Sequence, residues 1–196
     1  TMLIYDKAEY YKLTKDLNIP YLPLNTDEPD KKLYEKYKDK IPLLEHFYTS
    51  EYPADRHLVR DVVAYIDTDP YYQTDEAYDK INECFYYIEE SSKKMNVRWS
   101  RYLLQIAIDV QIAWNAGTLV GAGRGSGVGF CLLNILGFTQ INPLREKTAT
   151  FPWRFLNPER ASVLDIDIDI CGSKRDTVIQ AMKDTYGEDR VSKVMT

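Results

Sequence analysis

The run Leu164-Asp165-Ile166-Asp167-Ile168-Asp169-Ile170 constrains this chain more than any other stretch. Strict alternation of aspartate with isoleucine has the period of an extended β-strand, in which successive side chains point to opposite faces. Asp165, Asp167 and Asp169 are therefore expected on one face, with Ile166, Ile168 and Ile170 packed on the other. Same-face neighbours lie roughly 6.5–7 Å apart along a strand, so three unpaired carboxylates repel one another. A divalent cation removes that penalty, and oxygen-only ligands suit Mg²⁺ or Mn²⁺. An edge strand showing a solvated acidic face is the plainer alternative, and the run by itself does not choose between them.

A glycine-rich run, Gly121-Ala122-Gly123-Arg124-Gly125-Ser126-Gly127, precedes it. Thr118-Leu119-Val120 reads as a short strand entering the run, and Val128 to Leu136 as an apolar helix leaving it. Strand, glycine loop and helix is an arrangement in which backbone N–H groups and a helix N-terminus bind phosphate. The run is not a P-loop, since no lysine occurs between Met95 and Lys147, and Ser126 breaks the dinucleotide pattern G-x-G-x-x-G. Arg124 and the Ser126 hydroxyl would supply the extra donors; a flexible linker is the plainer reading.

The rest of the chain reads as mostly helical. Helices are expected near residues 6–17 and 29–40, from Arg56 to Ile66, and over residues 76–94 with Thr74 or Asp75 as cap. Pro20, Pro23, Pro42 and Pro53 mark breaks between them. Trp99 to Trp114 carries a broad apolar stripe (Leu103, Ile106, Ala107, Val110, Ala113, Trp114), which Gly117 ends. A last helix over residues 173–186 is stopped by Gly187, and Val191 to Met195 reads as a final strand. The 16 tyrosines are explained better by half-buried contacts at helical spacing than by base stacking.

Composition bounds the remaining classes. At 196 residues, 44% hydrophobic and 28% charged, the chain has the balance of a soluble globular protein of one or two domains. No run reaches the roughly 20 apolar residues of a membrane span. Cys84, Cys131 and Cys171 are few and widely spaced, as in a reducing cytoplasm, and His46 and His57 are too few for a zinc cluster. A net charge of −5 leaves Arg145, Lys147, Arg154 and Arg160 as a local basic patch for nucleic acid.

Several linked motifs in order carry a resemblance. Gly121 to Gly129, Asn142-Pro143-Leu144-Arg145, Arg154-Phe155-Leu156-Asn157-Pro158-Glu159-Arg160 and Asp165 to Asp169 resemble the palm of bacterial family C replicative DNA polymerases, the polymerase III α subunits. The likeness continues through Lys174-Arg175-Asp176, Val178-Ile179 and Tyr186 to Val191, covers roughly residues 80–196, and reaches faintly back to Ile19-Pro20-Tyr21-Leu22-Pro23. It implies an α+β fold: a helical region over residues 1–75, then a partial palm over 76–196, with a mixed sheet and flanking helices like that of nucleotidyltransferases related to polymerase β.

The resemblance also implies roles. Arg124, Gly125 and Ser126 would hold the triphosphate of an incoming dNTP; Asp165 and Asp167 would be the catalytic, metal-binding carboxylates, with Asp169 supporting. Arg154 and Arg160 would add phosphate contacts or form structural ion pairs. The implied activity is template-directed DNA polymerisation, with two Mg²⁺ or Mn²⁺ ions transferring a nucleotide to a primer 3′-hydroxyl. Implied partners are primer–template DNA and, in a full-length protein, a sliding clamp and other replisome subunits, in the cytoplasm and away from membranes. A third carboxylate is expected beyond Thr196, so the chain reads as a fragment inactive alone.

Leu164 and Ile170 replace the family's usual proline and phenylalanine, Phe130 replaces a second serine, and Glu146 to Trp153 is insertion-like. These departures suggest a divergent member, bacterial or phage-encoded. Two alternatives remain: a non-catalytic interaction module with a degenerate palm, and another nucleotidyltransferase of the polymerase β superfamily.

Overall fold

The computed structural model describes residues 29–146, 150–160, 164 and 166–193. The expected helix near 6–17 and the Ile19–Pro23 segment lie outside them, as do Lys147 and Asp165.

Seven α-helices are described: α1 Lys31–Tyr37, α2 Leu43–Tyr48, α3 Pro53–Thr68, α4 Asp75–Met95, α5 Trp99–Asn115, α6 Cys131–Ile135 and α7 Arg175–Tyr186. Short 3₁₀ turns stand at Pro70–Tyr72, Gly125–Gly129, Pro152–Arg154 and Gly172–Lys174. Local chemistry sets the boundaries. Asp30 caps α1 through its carboxylate, Pro53 opens α3 where an N–H is not needed, and the Thr74 hydroxyl accepts the Ala77 N–H at 3.2 Å. Gly117, at φ +75°, turns the chain after α5, and Gly187, at φ +104°, ends α7.

Helix α3 lies at the centre, packed against α1, α2, α5 and α6. Its buried Leu58, Val59, Val62, Val63 and Ile66 recur at helical spacing and form one face. Ala77, Tyr78, Ile81, Cys84, Phe85 and Ile88 do the same for α4. One apolar cluster runs from Tyr34 to Val178, so the helical approach and the glycine-rich half share a core. The tyrosines serve this packing: Tyr37 and Tyr72 are fully buried, and Tyr34 stacks on Tyr48 at 3.8 Å.

A buried charge cluster fastens α3, α4 and α5. Asp55 is wholly inaccessible and accepts from Arg98 Nε at 2.9 and 3.0 Å, from Arg98 Nη2, and from the Ser100 and Ser50 hydroxyls at 2.5 Å each. Arg98 also reaches Glu89 at 3.3 Å and lies over the Tyr52 ring. Burial raises the Glu89 carboxyl, but Arg98, His46 and Lys93 outweigh it and hold the group below its ordinary range.

The expected α+β architecture with a mixed palm sheet is overturned. Among the described residues there is no sheet, and the extended pairing is one isolated antiparallel bridge, Val120 to Ile170. Alternation specifies an extended chain with two distinct faces, but a sheet also needs a neighbour along several residues. Here the neighbour supplies one residue. Cys171 N–H already turns to the Thr118 hydroxyl (3.3 Å) instead of a backbone carbonyl. The isoleucines pack on the helical core instead, and Val191 to Lys193, the described part of the expected final strand, has no regular structure. The expected helix from Val128 to Leu136 is also broken, because Phe130 is extended (φ −101°, ψ 99°) and wholly buried against Phe155.

Candidate functional site

The glycine run leaves α5 and at once meets the acidic run. Gly121 N–H donates to the Asp169 carbonyl at 2.8 Å. A Cβ on Gly121 would stand 2.9 Å from the Asp169 Cβ, closer than real contacts allow, so glycine is what lets the segments touch. The Tyr102 hydroxyl on α5 donates to the Leu164 carbonyl at 2.9 Å and holds the start of the acidic run.

Beyond Ala122 the chain makes a tight turn. Gly123 (φ +136°) packs beside Val128 and Thr139, Arg124 is extended, and Gly125 (φ +66°) enters the left-handed region before the 3₁₀ turn. The underside is buried: Gly127 lies against Leu133 and Phe155, and Phe130 tilts onto Phe155 at 4.9 Å between ring centres. Phe130 therefore forms part of the floor and does not cover the turn. Deeper still, the Tyr72 hydroxyl donates to Asn134, whose amide donates to the Thr139 carbonyl, and Gln140 N–H ties back to the Ala122 carbonyl at 2.7 Å.

Arg124 joins the two motifs. Its Nη1 reaches Asp169 Oδ1 at 3.0 Å and its Nη2 reaches Asp167 Oδ2 at 3.4 Å. Asp167 and Asp169 thus turn to one side of the run and are exposed, while Ile166, Ile168 and Ile170 are partly buried on the core. The guanidinium supplies a positive charge between two carboxylates that would otherwise repel. Because all three side chains are about half exposed, water and salt screen these pairs, and their worth is below about 1 kcal/mol each.

Gly125 and Ser126 are exposed on the outer side of the turn. Arg154 and Arg160 are exposed as well and form no ion pair among the described residues, and Glu159 pairs with Lys94 at 3.4 Å. Arg154 closes the Pro152–Arg154 turn, immediately before the Phe155 floor. Arg145 lies over the Tyr71 ring at 4.2 Å. The five-residue α6 starts after the Phe130 break, so the glycine turn is not continuous with a helix N-terminus of useful length. Phosphate recognition here would fall to loop N–H groups and side chains.

Sequence reasoning missed the Arg124 pairings. The signal was available in one cation and an acidic run of the opposite sign, but their contact depends on a long-range approach. Among the described residues, no group of three or more His, Cys, Asp or Glu side chains is arranged to hold a metal ion. Asp165 falls outside those residues, and Asp167 and Asp169 remain as an exposed all-oxygen pair converging on one cation. Carboxylate oxygens are the donor type a hard divalent ion takes, and here the pair faces the Arg124 guanidinium. No described helix is long and apolar enough to cross a membrane.

Comparison with known proteins agrees with the motif order. Residues 74–196 match the family model described as the bacterial DNA polymerase III alpha NTPase domain. The whole chain is 30% identical over 209 residues to the probable DNA polymerase YorL of Bacillus subtilis (strain 168). The same identity is found with the DNA-directed DNA polymerase of Bacillus phage SPbeta. Over 95 residues, 48% of the chain, it is 44% identical to the DNA polymerase III subunit alpha of Escherichia coli (strain K12). The chain spans 16% of the length of the first two relatives and 8% of the third. A family match over residues 74–196, joined to full-length similarity at 30% identity, establishes that this chain belongs to the bacterial DNA polymerase III alpha family.

Proposed function

We propose that this chain is the part of a DNA-directed DNA polymerase that receives the triphosphate of an incoming dNTP and presents carboxylates for nucleotidyl transfer. The observation that carries this reading is the convergence of Arg124, Asp167 and Asp169 on the outer side of the glycine turn. Positive and negative groups with exposed access are gathered there, at residues to which the motif resemblance gives functional roles. Primer–template DNA, a clamp and other replisome subunits would be partners of the whole protein.

Each residue has a task in this reading. Gly125 and Ser126 offer a backbone N–H and a hydroxyl where little side chain obstructs a phosphate. Arg124 offers a planar fork suited to phosphate oxygens, and it exchanges its present carboxylate partners for them when a nucleotide arrives. Asp167, with Asp165, would hold Mg²⁺, and Asp169 stays near the loop through the Gly121 contact. Arg154 and Arg160 would neutralise further phosphate charge. When bound, the ion lowers the cost of charge developing on the transferred phosphoryl oxygens. Residues 1–75 would be the helical lead-in, and 76–196 the nucleotide-handling part.

The test is calorimetric titration of the chain with Mn²⁺, then with dATP in its presence. Wild type should bind the ion weakly, and an Asp165→Asn/Asp167→Asn double variant should not; Arg124→Ala should weaken dATP while tightening the ion, whose carboxylates lose a competing guanidinium. Identical Mn²⁺ isotherms for wild type and the double variant would remove the metal assignment.

A further inference from the structure

We propose that Phe151 and Trp153 form a platform on which a nucleobase stacks beside the glycine turn. Among the described residues the large exposed apolar side chains are Tyr52, Tyr71, Tyr86, Leu119, Phe151 and Trp153. The tyrosines have phenol hydroxyls that water solvates, which explains their positions. Phe151, 47% exposed, has no polar atom to solvate, and Trp153, 40% exposed, is nearly all hydrocarbon. Their rings lie 5.9 Å apart and 39° from coplanar, neighbours that leave ring surface uncovered.

The backbone beneath them is firmly placed. Arg154 N–H donates to the Phe151 carbonyl at 3.1 Å, Phe155 N–H to that of Pro152 at 3.0 Å, and Pro152 is buried. A Cβ on Gly129 would meet the Thr150 Cβ at 3.4 Å and the Phe151 nitrogen at 3.6 Å, so the aromatic segment runs directly against the end of the glycine turn. Phe155, just beyond, is the floor of that turn.

Charge selects the occupant. Arg154, which is exposed, follows Trp153 in the same 3₁₀ turn, and Arg124 leads into the glycine turn against whose end the Phe151 backbone packs. Rings with cations nearby suit a ligand that has a flat π-face at one end and phosphates at the other, which is a nucleotide. An all-apolar protein partner would leave Arg154 desolvated without a counter-charge. The π-face belongs to a dNTP or to an unpaired base of a DNA strand, and the recognition chemistry is shared. This inference rests on the glycine turn being the phosphate site, as proposed above.

Calorimetric titrations of the 196-residue chain with dATP, with a short single-stranded oligodeoxynucleotide and with inorganic tripolyphosphate separate the possibilities. The variants are Trp153→Ala, Phe151→Ala and Trp153→Phe, with thermal melts alongside to show that the exposed substitutions leave the fold intact. At least one base-bearing ligand should bind more tightly than tripolyphosphate. Trp153→Ala should reduce its affinity by about 5- to 150-fold, the range expected for one stacked base, and Trp153→Phe should restore most of it. Loss confined to dATP assigns the base to the incoming nucleotide, and loss confined to the oligonucleotide assigns it to the strand. If base-bearing ligands bind and respond to Trp153 while tripolyphosphate does not bind, the platform stands and the phosphate reading fails. Equal affinity for dATP, oligonucleotide and tripolyphosphate, unchanged affinity in Trp153→Ala, or no binding of any base-bearing ligand overturns the platform. So does a concentration-dependent dimer abolished by Trp153→Ala, which would make the rings a contact between copies.

Discussion

Replacing Asp55 with alanine should cost more stability than any exposed substitution in the candidate site. Asp55 is 0% exposed and accepts hydrogen bonds from three side chains, those of Arg98, Ser100 and Ser50. Its partner Arg98 has a side chain only 21% exposed. A unit-charge pair about 3 Å apart interacts by roughly 5 kcal/mol at an effective dielectric of about 20, before desolvation is charged against it. Truncating one member of such a pair typically costs about 3–5 kcal/mol, since the remaining charge stays buried. Glu89, 3.3 Å from Arg98 Nη1, remains as a counter-charge and limits the damage, so the lower half of that range is expected. With a urea slope of about 2 kcal/mol/M, the midpoint should fall by roughly 1.5–2 M. Equilibrium urea denaturation followed by far-ultraviolet circular dichroism measures this. A drop under about 0.5 M would show that Asp55 contributes little beyond its volume. An Asp55→Ala/Arg98→Met double variant should recover part of the loss, because it removes both charges.

Other outcomes follow from single contacts. Gly121→Ala should lower thermal stability by the equivalent of about 1–3 kcal/mol, because its methyl would stand 2.9 Å from the Asp169 Cβ; an unchanged melting temperature would show that the segments separate freely. Burial raises the Asp109 carboxyl above its ordinary range, despite hydrogen bonds from Tyr186 (2.7 Å) and Gln105 (3.0 Å) that lower it. A raised carboxyl gives stability that is fully present below its unfolded pKa of about 4 and lost as pH rises through the folded value. Asp109→Asn should therefore be neutral or stabilising at pH 7 and relatively worse at pH 4, which paired denaturation curves at the two pH values will show. Glu89 has the opposite sign, with stability present above its unfolded pKa and lost as pH falls through the depressed value. The deficit of Glu89→Gln should accordingly shrink in acid, and a deficit constant from pH 7 to pH 3 would contradict it.

How much was legible depended on the range of each interaction. Thr74, Gly117 and Gly187 could be read as helix ends because caps act within a few residues. The stripe from Leu103 to Ala113 was legible because one helix defines it. Leu43–Tyr48 was missed as a helix: six residues behind Pro42 offer too few turns for a pattern. Phe130 was missed as a helix breaker because its extended backbone is set by Phe155, a residue distant in sequence. The sheet was wrong for a related reason. Over Ile166 to Ile170 the aspartate–isoleucine alternation describes two faces correctly, but strand neighbours come from elsewhere, and among the described residues the ladder is the single Val120–Ile170 bridge with the adjoining Gly121–Asp169 hydrogen bond.

Arg124 shows how the two motifs depend on one another. The acidic run has a repulsion problem in isolation, and the glycine turn has an unbalanced cation; at 3.0 and 3.4 Å each offsets the other. Exposed pairs of this kind are individually weak, so the arrangement is easily traded for another of the same charge balance. A triphosphate approaching Arg124 would take its guanidinium from Asp167 and Asp169, and the freed carboxylates would then favour a cation of their own. Anion binding on the turn and cation binding on the acidic run should therefore be positively coupled, each strengthening the other by the same factor. In Arg124→Ala the coupling should disappear, and the ion should bind more tightly without nucleotide, because no guanidinium competes for the carboxylates. Mn²⁺ titrations with and without tripolyphosphate, on wild type and Arg124→Ala, decide it. Independent binding in wild type would mean that Arg124 stays with its aspartates and that phosphate is held by other groups.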